Sequence, residues 1–344
     1  MRTGFGTGRR PRRAAACLVA SAAIGTAYGA ATAEPAALGP NLERFAYPFE
    51  VHWYEAPSQG QTVRMAWMDV APTGRPKGVT VVLLHGKNFC GATWEENARS
   101  LAAHGYRVIA PDQIGFCKSS KPAGYQYSFH ALAALTHGML VQANAGRVIL
   151  VGHSTGGMVA VRYALDYPGD VARLVLVNPL GLNDPLNEGA RYTDLGQLRA
   201  QEAKTDAASI RAYQLKVYYH GRWRPAYDRW VDMLAGEYVD DGGVVREAQA
   251  RTSDMIQTQP VAHEFGRVLA PVSLIIGQRD LTSFGKGAAP PELRDHVLTV
   301  PQAAEIAVHR FPHAHLVRLS GLGHSPQVED PAQFDRVLLA QIGG

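Results

Sequence analysis

Ser154 stands at the centre of Gly152-His153-Ser154-Thr155-Gly156, between an apolar run, Val148–Val151, and a helix-like run, Met158–Tyr167. A serine on a tight strand-to-helix turn has its hydroxyl thrust clear of the backbone. Glycines two before and two after it remove side chains that so sharp a bend would bring into collision. The helix behind it turns its N-terminal N–H groups toward the same spot and favours negative charge there. The pentapeptide alone recurs by chance in a glycine-rich chain, so its partners decide its meaning.

A nucleophilic serine needs a base, an acid to orient the base, and donors for the oxyanion. His324 lies in Gly321-Leu322-Gly323-His324-Ser325-Pro326, just past the last strand-like run, where glycines let a loop swing the imidazole back over a sheet. Asp280 ends Ile275–Asp280, just past the preceding strand-like run, and is the expected acceptor for a ring N–H of His324. Asp184 is the rival acid. The loop His85-Gly86-Lys87-Asn88 offers a backbone N–H, from Lys87 or Asn88, and the N–H of Thr155 is the second donor of an oxyanion hole. The chain order is Ser, Asp, His. His85 and His153 are expected to orient loops. His313-Ala314-His315 has the look of a metal site but no accompanying ligand cluster, so no metal and no cofactor is expected.

Those residues need a sheet to hold them. Strand-like runs occur at Phe49–Tyr54, Thr62–Val70, Val79–Leu84, Tyr106–Ala110, Arg147–Val151, Ala172–Val177, Val272–Ile276 and His315–Leu319. From the third onward they alternate with helical patterns at Thr93–His104, Ser128–Asn144, Gly157–Tyr167, Ala303–His309 and Pro331–Ile342. Strand–helix alternation predicts a mostly parallel eight-stranded sheet covered by helices on both faces, an α/β fold. The alternation stops between 182 and 266. That stretch has helical patterns, no convincing strand, and many aromatics (Tyr213, Tyr218, Tyr219, Trp223, Tyr227 and Trp230 among them). It is expected to be a helical cap inserted after the sixth strand, dividing the core into 34–181 and 267–344. Most of its aromatics should pack the cap onto the core, and a few should give an apolar or aromatic acyl pocket. The Lys87 side chain is expected in solvent.

Residues 1–33 read as a bacterial secretory leader. Five arginines (Arg2, Arg9, Arg10, Arg12 and Arg13) precede an alanine-rich apolar stretch and an Ala31-Thr32-Ala33 cleavage site. The arginine pairs also permit twin-arginine export. Removing the five arginines takes the formal charge of +4 to about −1. The basic balance therefore belongs to targeting and gives no reason to expect nucleic acid or a membrane anchor. A periplasmic or secreted location follows. About 311 residues remain, enough for one large domain. They contain two cysteines, Cys90 and Cys117, which permit one disulfide or two buried thiols.

Leu83-Leu84-His85-Gly86, Asp112–Ser119, Gly152–Gly157, Gly277–Asp280 and Gly323-His324, in that order, resemble the α/β-hydrolase superfamily, especially cap-bearing members related to epoxide hydrolases, haloalkane dehalogenases and carbon–carbon bond hydrolases. The resemblance implies the fold, the cap and a Ser154–Asp280–His324 triad. It also puts the loops of Cys90 and Cys117 after neighbouring strands, within reach of a disulfide. The epoxide and haloalkane enzymes carry aspartate at the elbow, where an alkyl ester can form and be hydrolysed. Serine here favours acyl transfer instead. The expected activity is an exported serine hydrolase cleaving carboxylic esters of a small-molecule acyl substrate. The rivals are a carbon–carbon hydrolase, lactonase or perhydrolase with the same triad, and a ligand-binding protein that kept the fold.

Overall fold

The computed structural model describes residues 35–343, so the leader reading lies outside the described residues. Eight strands form one sheet: β1 Val51–Ser58, β2 Gln61–Val70, β3 Thr80–Leu84, β4 Arg107–Pro111, β5 Val148–His153, β6 Val171–Val177, β7 Val272–Gly277 and β8 Ala314–Leu319. Their order is β1-β2-β4-β3-β5-β6-β7-β8. β1 and β4 each pair antiparallel with β2, and every other pairing is parallel. β3, β5 and β7 are buried along their whole length, which is why their sequences are near-continuous apolar runs rather than alternating.

Alternate residues of each buried strand feed opposite faces. Val82, Leu84, Leu150, Leu176 and Ile276 pack under α2 (Phe129–Gln142), α3 (Thr155–Asp166) and α8 (Val300–Ala307). Val81, Leu83, Val151, Val177 and Ile275 pack with Trp94, Leu101, Phe334 and Leu338, from around α1 (Glu95–Ala103) and from α10 (Pro331–Ile342). The short α9 (Pro326–Glu329) precedes α10. Because β4 and β5 flank β3, the direction of winding reverses at β3. The crevice beyond the carboxyl ends of β3 and β5 is where such sheets bind ligands.

β1 departs from expectation. It starts later and runs through Pro57 to Ser58, four residues beyond the apolar run. An edge strand tolerates proline, and the Gln59-Gly60 turn, with both φ positive (50° and 73°), closes a two-residue hairpin that lengthens the pairing with β2.

Between β6 and β7 lie four helices, α4 Leu195–Glu202, α5 Ala207–Tyr213, α6 Asp228–Tyr238 and α7 Val244–Thr258. Asp194 and Asp206 start α4 and α5 with reciprocal side-chain caps to Gln197 and Ser209. A π-helical turn, Gln214–Tyr218, follows α5. Tyr218, Tyr219, Tyr227, Trp230 and Leu234 join Phe89, Phe116 and the two cysteines in a shared cluster that seats these helices on the sheet. Among the described residues, no helix is long and apolar enough to cross a membrane.

Candidate active site

Ser154 links β5 to α3 with φ 53° and ψ −121°, a backbone conformation that side chains other than glycine rarely adopt. Its surroundings hold it there. Its N–H donates to the Val177 carbonyl (3.1 Å), and its carbonyl accepts from Gly157 (2.9 Å) and Leu180 (3.1 Å). A Cβ on Gly156 would strike the carbonyls of Leu84 and His85, and one on Gly152 would lie 2.5 Å from the Gly156 carbonyl. The two glycines of the pentapeptide are thus required by packing.

His324 follows β8 and is fully buried. Its Nδ1 lies 2.7 Å from Oδ2 of Asp280. That carboxylate is held by two further donors: Asn178 donates Nδ2–H to Oδ2 (2.8 Å), and the Thr282 N–H donates to Oδ1 (2.7 Å). Asn178 sits one residue past β6 and also accepts the Gly277 N–H (2.9 Å), so it fixes the loop from which Asp280 projects. A proton on Nδ1 leaves the lone pair on Nε2, which among the described residues has no protein partner, as a general base would require. The backbone of His324 is clamped between its N–H donated to the Tyr218 carbonyl (3.0 Å) and its carbonyl accepting from His153 Nε2 (2.9 Å). Burial, and the neighbouring His324 imidazole, push the His153 pKa well below its usual value, so it stays a neutral strut.

The loop after β3 covers Ser154 closely. A Cβ on Gly86 would come within 2.8 Å of Ser154 Cβ. His85 Nε2 accepts the Gln113 N–H (3.0 Å), which fixes the proton on Nδ1, and Nδ1 donates to the Gly86 carbonyl (2.8 Å). The Phe89 N–H donates to the same oxygen (3.1 Å). In a trans peptide the N–H of Lys87 points opposite to that carbonyl, so holding Gly86 aims Lys87. Among the described residues, the N–H groups of Lys87 and Thr155 have no protein acceptor.

The structure therefore gathers Asp280 and His324 directly, and sets Lys87 and Thr155 on the two backbone segments that flank Ser154. Asp184 is elsewhere. It pairs with His263 (2.8 Å) and Asn187. His315 bonds Ser273 and Gln341 at the sheet edge. Among the described residues, Cys90, Asp112 and Cys117 are the one group of three or more such side chains close enough for a metal, and the two sulfurs are bonded to each other. Two expectations are corrected. The Lys87 side chain is not in solvent but 16 % exposed and 2.8 Å from Glu202, because the cap closes over it. The cavity under the cap, about 460 Å³, is not purely apolar: amide, hydroxyl and carboxylate side chains share its wall with Phe116, Ile210, Leu234 and the rings of Tyr213 and Tyr238.

A family profile described as the alpha/beta hydrolase fold matches residues 79–331. The chain belongs to the α/β-hydrolase family. The crystal structure of a probable hydrolytic enzyme from Pseudomonas aeruginosa is 48 % identical, covers 90 % of this hydrolase and 99 % of that chain, and superposes with a TM-score of 0.87. A putative carbamate hydrolase, RutD, of Pantoea ananatis is 27 % identical over 266 residues, 76 % of this hydrolase and 86 % of its relative. A 2-hydroxy-6-oxo-2,4-heptadienoate hydrolase of Pseudomonas putida is 36 % identical over 115 residues, 33 % of this hydrolase and 41 % of that one.

Sequence reasoning missed Asn178, Tyr218 and Asp112. Asp112 accepts the N–H groups of Gly91 (2.7 Å) and Lys118 (3.0 Å), the residues after the two cysteines, and so ties the same loops that the disulfide joins. Its place in the Asp112–Ser119 stretch was the one available signal.

Proposed function

We propose that this hydrolase cleaves carboxylic esters through an acyl-enzyme on Ser154. The observation that carries the reading is the buried Asp280–His324 pair, whose Nε2 is free, in a site with a serine held at positive φ. Ser154 Oγ bonds to the ester carbonyl carbon as its proton passes to His324 Nε2. The carbonyl oxygen becomes an oxyanion between the N–H groups of Lys87 and Thr155, each donor of this kind being typically worth about 3 kcal/mol. The carbon–oxygen bond to the alcohol then breaks, and the alkoxide takes the proton from Nε2. Water attacks the acyl-enzyme, gives a proton to Nε2, and Ser154 recovers it as the acid leaves. Asp280 keeps the imidazole in the required tautomer and offsets its charge while it is protonated.

A carbon–carbon hydrolase acting on an oxo-dienoate, as the Pseudomonas putida relative does, would have a substrate carboxylate to neutralise. The lysine at the oxyanion loop is already paired with Glu202. That favours the ester reading. We also place the protein outside the cytoplasm. The leader-like N-terminus supports this, as does a buried Cys90–Cys117 disulfide of the kind that persists in oxidising compartments.

The test is a fluorophosphonate probe followed by p-nitrophenyl esters and a vinylogous diketone. Labelling of Ser154, lost in Ser154→Ala, with ester turnover, is the expected result. Fast diketone cleavage with inert esters transfers the reading to carbon–carbon hydrolysis. No labelling of folded protein leaves only ligand binding. The N-terminal mass of protein recovered from the periplasm or medium of a bacterial host tests export.

A further inference from the structure

The cavity between the cap helices and the oxyanion loop has an unusual wall. Gln214 is fully buried, faces the cavity, and among the described residues has no protein partner on either Oε1 or Nε2. Leaving a buried amide unpaired is costly, so a fold that keeps one there has a use for it or a ligand to satisfy it. Around it stand further neutral hydrogen-bonding side chains: Gln201, Thr205, Ser209, Gln249 and Ser253. The ionic groups cancel in pairs. Lys87 is bonded to Glu202, which also accepts from Tyr238, and Glu237 faces Lys121 at 2.9 Å. The rings of Tyr213, Tyr238 and Phe116 supply flat apolar surface. A volume of about 460 Å³ is within the range of small-molecule sites.

Such a lining disfavours a charged ligand, which would find no unpaired counter-ion among the described residues, and a purely aliphatic one, which would leave the Gln214 amide unpaired. It suits a neutral molecule with several hydroxyls. An amide presents one acceptor and two donors in a plane, and two vicinal hydroxyls satisfy it together, one donating to Oε1 and the other accepting from Nε2. Ser154 and His324 do not line the cavity, but it borders the oxyanion loop at Lys87 and is connected to the base. Asn88 lines it and donates to the Tyr218 hydroxyl (2.7 Å), and the Tyr218 ring stacks on His324 with centroids 4.4 Å apart. One π-helical turn thus presents Gln214 to the cavity at its first residue and Tyr218 to the base at its last. Such turns recur at functional sites.

We propose that this cavity binds a vicinal diol, as the hydroxyl-bearing alcohol part of the substrate, and that Gln214 is the residue that reads it. The proposal rests on the ester-hydrolase reading and narrows it to esters of polyhydroxy alcohols.

The experiment compares 6-O-acetylglucose, glyceryl monoacetate and butyl acetate on the full chain, on Gln214→Met and on Ser253→Ala. Methionine keeps the length of glutamine and removes its hydrogen bonds, and relieving a buried unpaired amide does not endanger folding. The expected result is a wild-type preference in kcat/KM for at least one hydroxylated ester over butyl acetate. That preference should fall about tenfold in Gln214→Met and in the same direction, by less, in Ser253→Ala. Whichever hydroxylated ester is preferred identifies the diol as sugar or glycerol. A wild-type preference for butyl acetate, or an equal loss on all three esters, overturns the proposal while leaving the ester reading intact. If the fluorophosphonate fails to label Ser154, saturation-transfer NMR with methyl glucoside and with glycerol takes over. Binding weakened in Gln214→Met then supports the diol site on its own, and absence of binding overturns it.

Discussion

Tyr218 meets His324 twice. Its ring stacks on the imidazole at 4.4 Å with an interplanar angle of 28°, and its carbonyl accepts the His324 N–H at 3.0 Å. The candidate base is therefore held from below by Asp280 and from above by the cap. The stacking needs only a ring, whereas the Asn88 bond needs the hydroxyl. Tyr218→Phe should keep most of the turnover of a simple ester. Tyr218→Leu should lose about tenfold in kcat, since an aromatic face is worth roughly 1 kcal/mol or more to a buried imidazolium. Steady-state kinetics on p-nitrophenyl acetate checks it. Equal losses in the two variants would show that the ring does nothing beyond filling space.

The chain from Gln113 through His85 to Gly86 gives a second expectation. His85 is buried with both ring nitrogens engaged by the backbone. It fixes the Gly86 carbonyl and so the direction of the Lys87 N–H. Burial lowers the His85 pKa, which keeps its Nε2 free to accept from Gln113 at neutral pH. His85→Ala should lower kcat by about 100-fold with little change in KM, because the misdirected donor serves the oxyanion more than the ground state. His85→Gln, which can still donate to Gly86, should recover part of the loss. A rise in KM alone would place the fault in substrate binding and not in the oxyanion loop.

These two networks also mark where the sequence stops being informative. The pentapeptide, the post-strand loops of Asp280 and His324, and the buried strands were legible because each rests on neighbours in the chain: glycine spacing, apolar runs and turn residues. Asn178 holds Asp280 across 102 positions, and Tyr218 covers His324 from a cap whose aromatics all look alike in sequence. Gln214 was silent for the same reason, since an isolated glutamine in a helical pattern reads as a surface residue. Its burial comes from the cap folding onto the oxyanion loop, a tertiary event without local pattern. The β1 boundary was missed because its extension through Pro57 to Ser58 rests on pairing with β2 across the hairpin and not on an apolar run.

The Cys90–Cys117 disulfide closes a separation of 27 residues. Its loss, by Cys90→Ser with Cys117→Ser, should cost about 3 kcal/mol of stability on the loop-entropy account. The Asp112 bonds to Gly91 and Lys118 tie the same two loops, so the reduced protein should remain folded at room temperature. Adding Asp112→Ala to the double serine variant removes both ties, and the combined loss should exceed the sum of the separate ones. Urea unfolding of the four proteins gives the coupling. Strict additivity would mean that the two ties do not share a job.

Glu329 and His220 form a titratable contact near the site. Glu329, at the end of α9, accepts the N–H of Gly323, the residue before His324, and lies 3.0 Å from Nε2 of His220 in the cap. Burial raises the Glu329 pKa to about 7. Burial, with Arg279 and Arg222 nearby, lowers that of His220. Both shifts favour the uncharged forms. A carboxyl whose folded pKa exceeds its unfolded value binds its proton more tightly in the folded state. Its contribution is fully present below about 4.5 and is lost as pH rises through about 7. The stability of the wild type relative to Glu329→Gln should therefore decline between pH 5 and pH 8, by on the order of 2 kcal/mol. His220→Phe, which removes the imidazole but leaves the buried carboxyl, should keep the decline. Melting temperatures of the three proteins across that range check it. A difference that stays flat, or that grows with pH, would mean that Glu329 is ionised in the folded protein throughout.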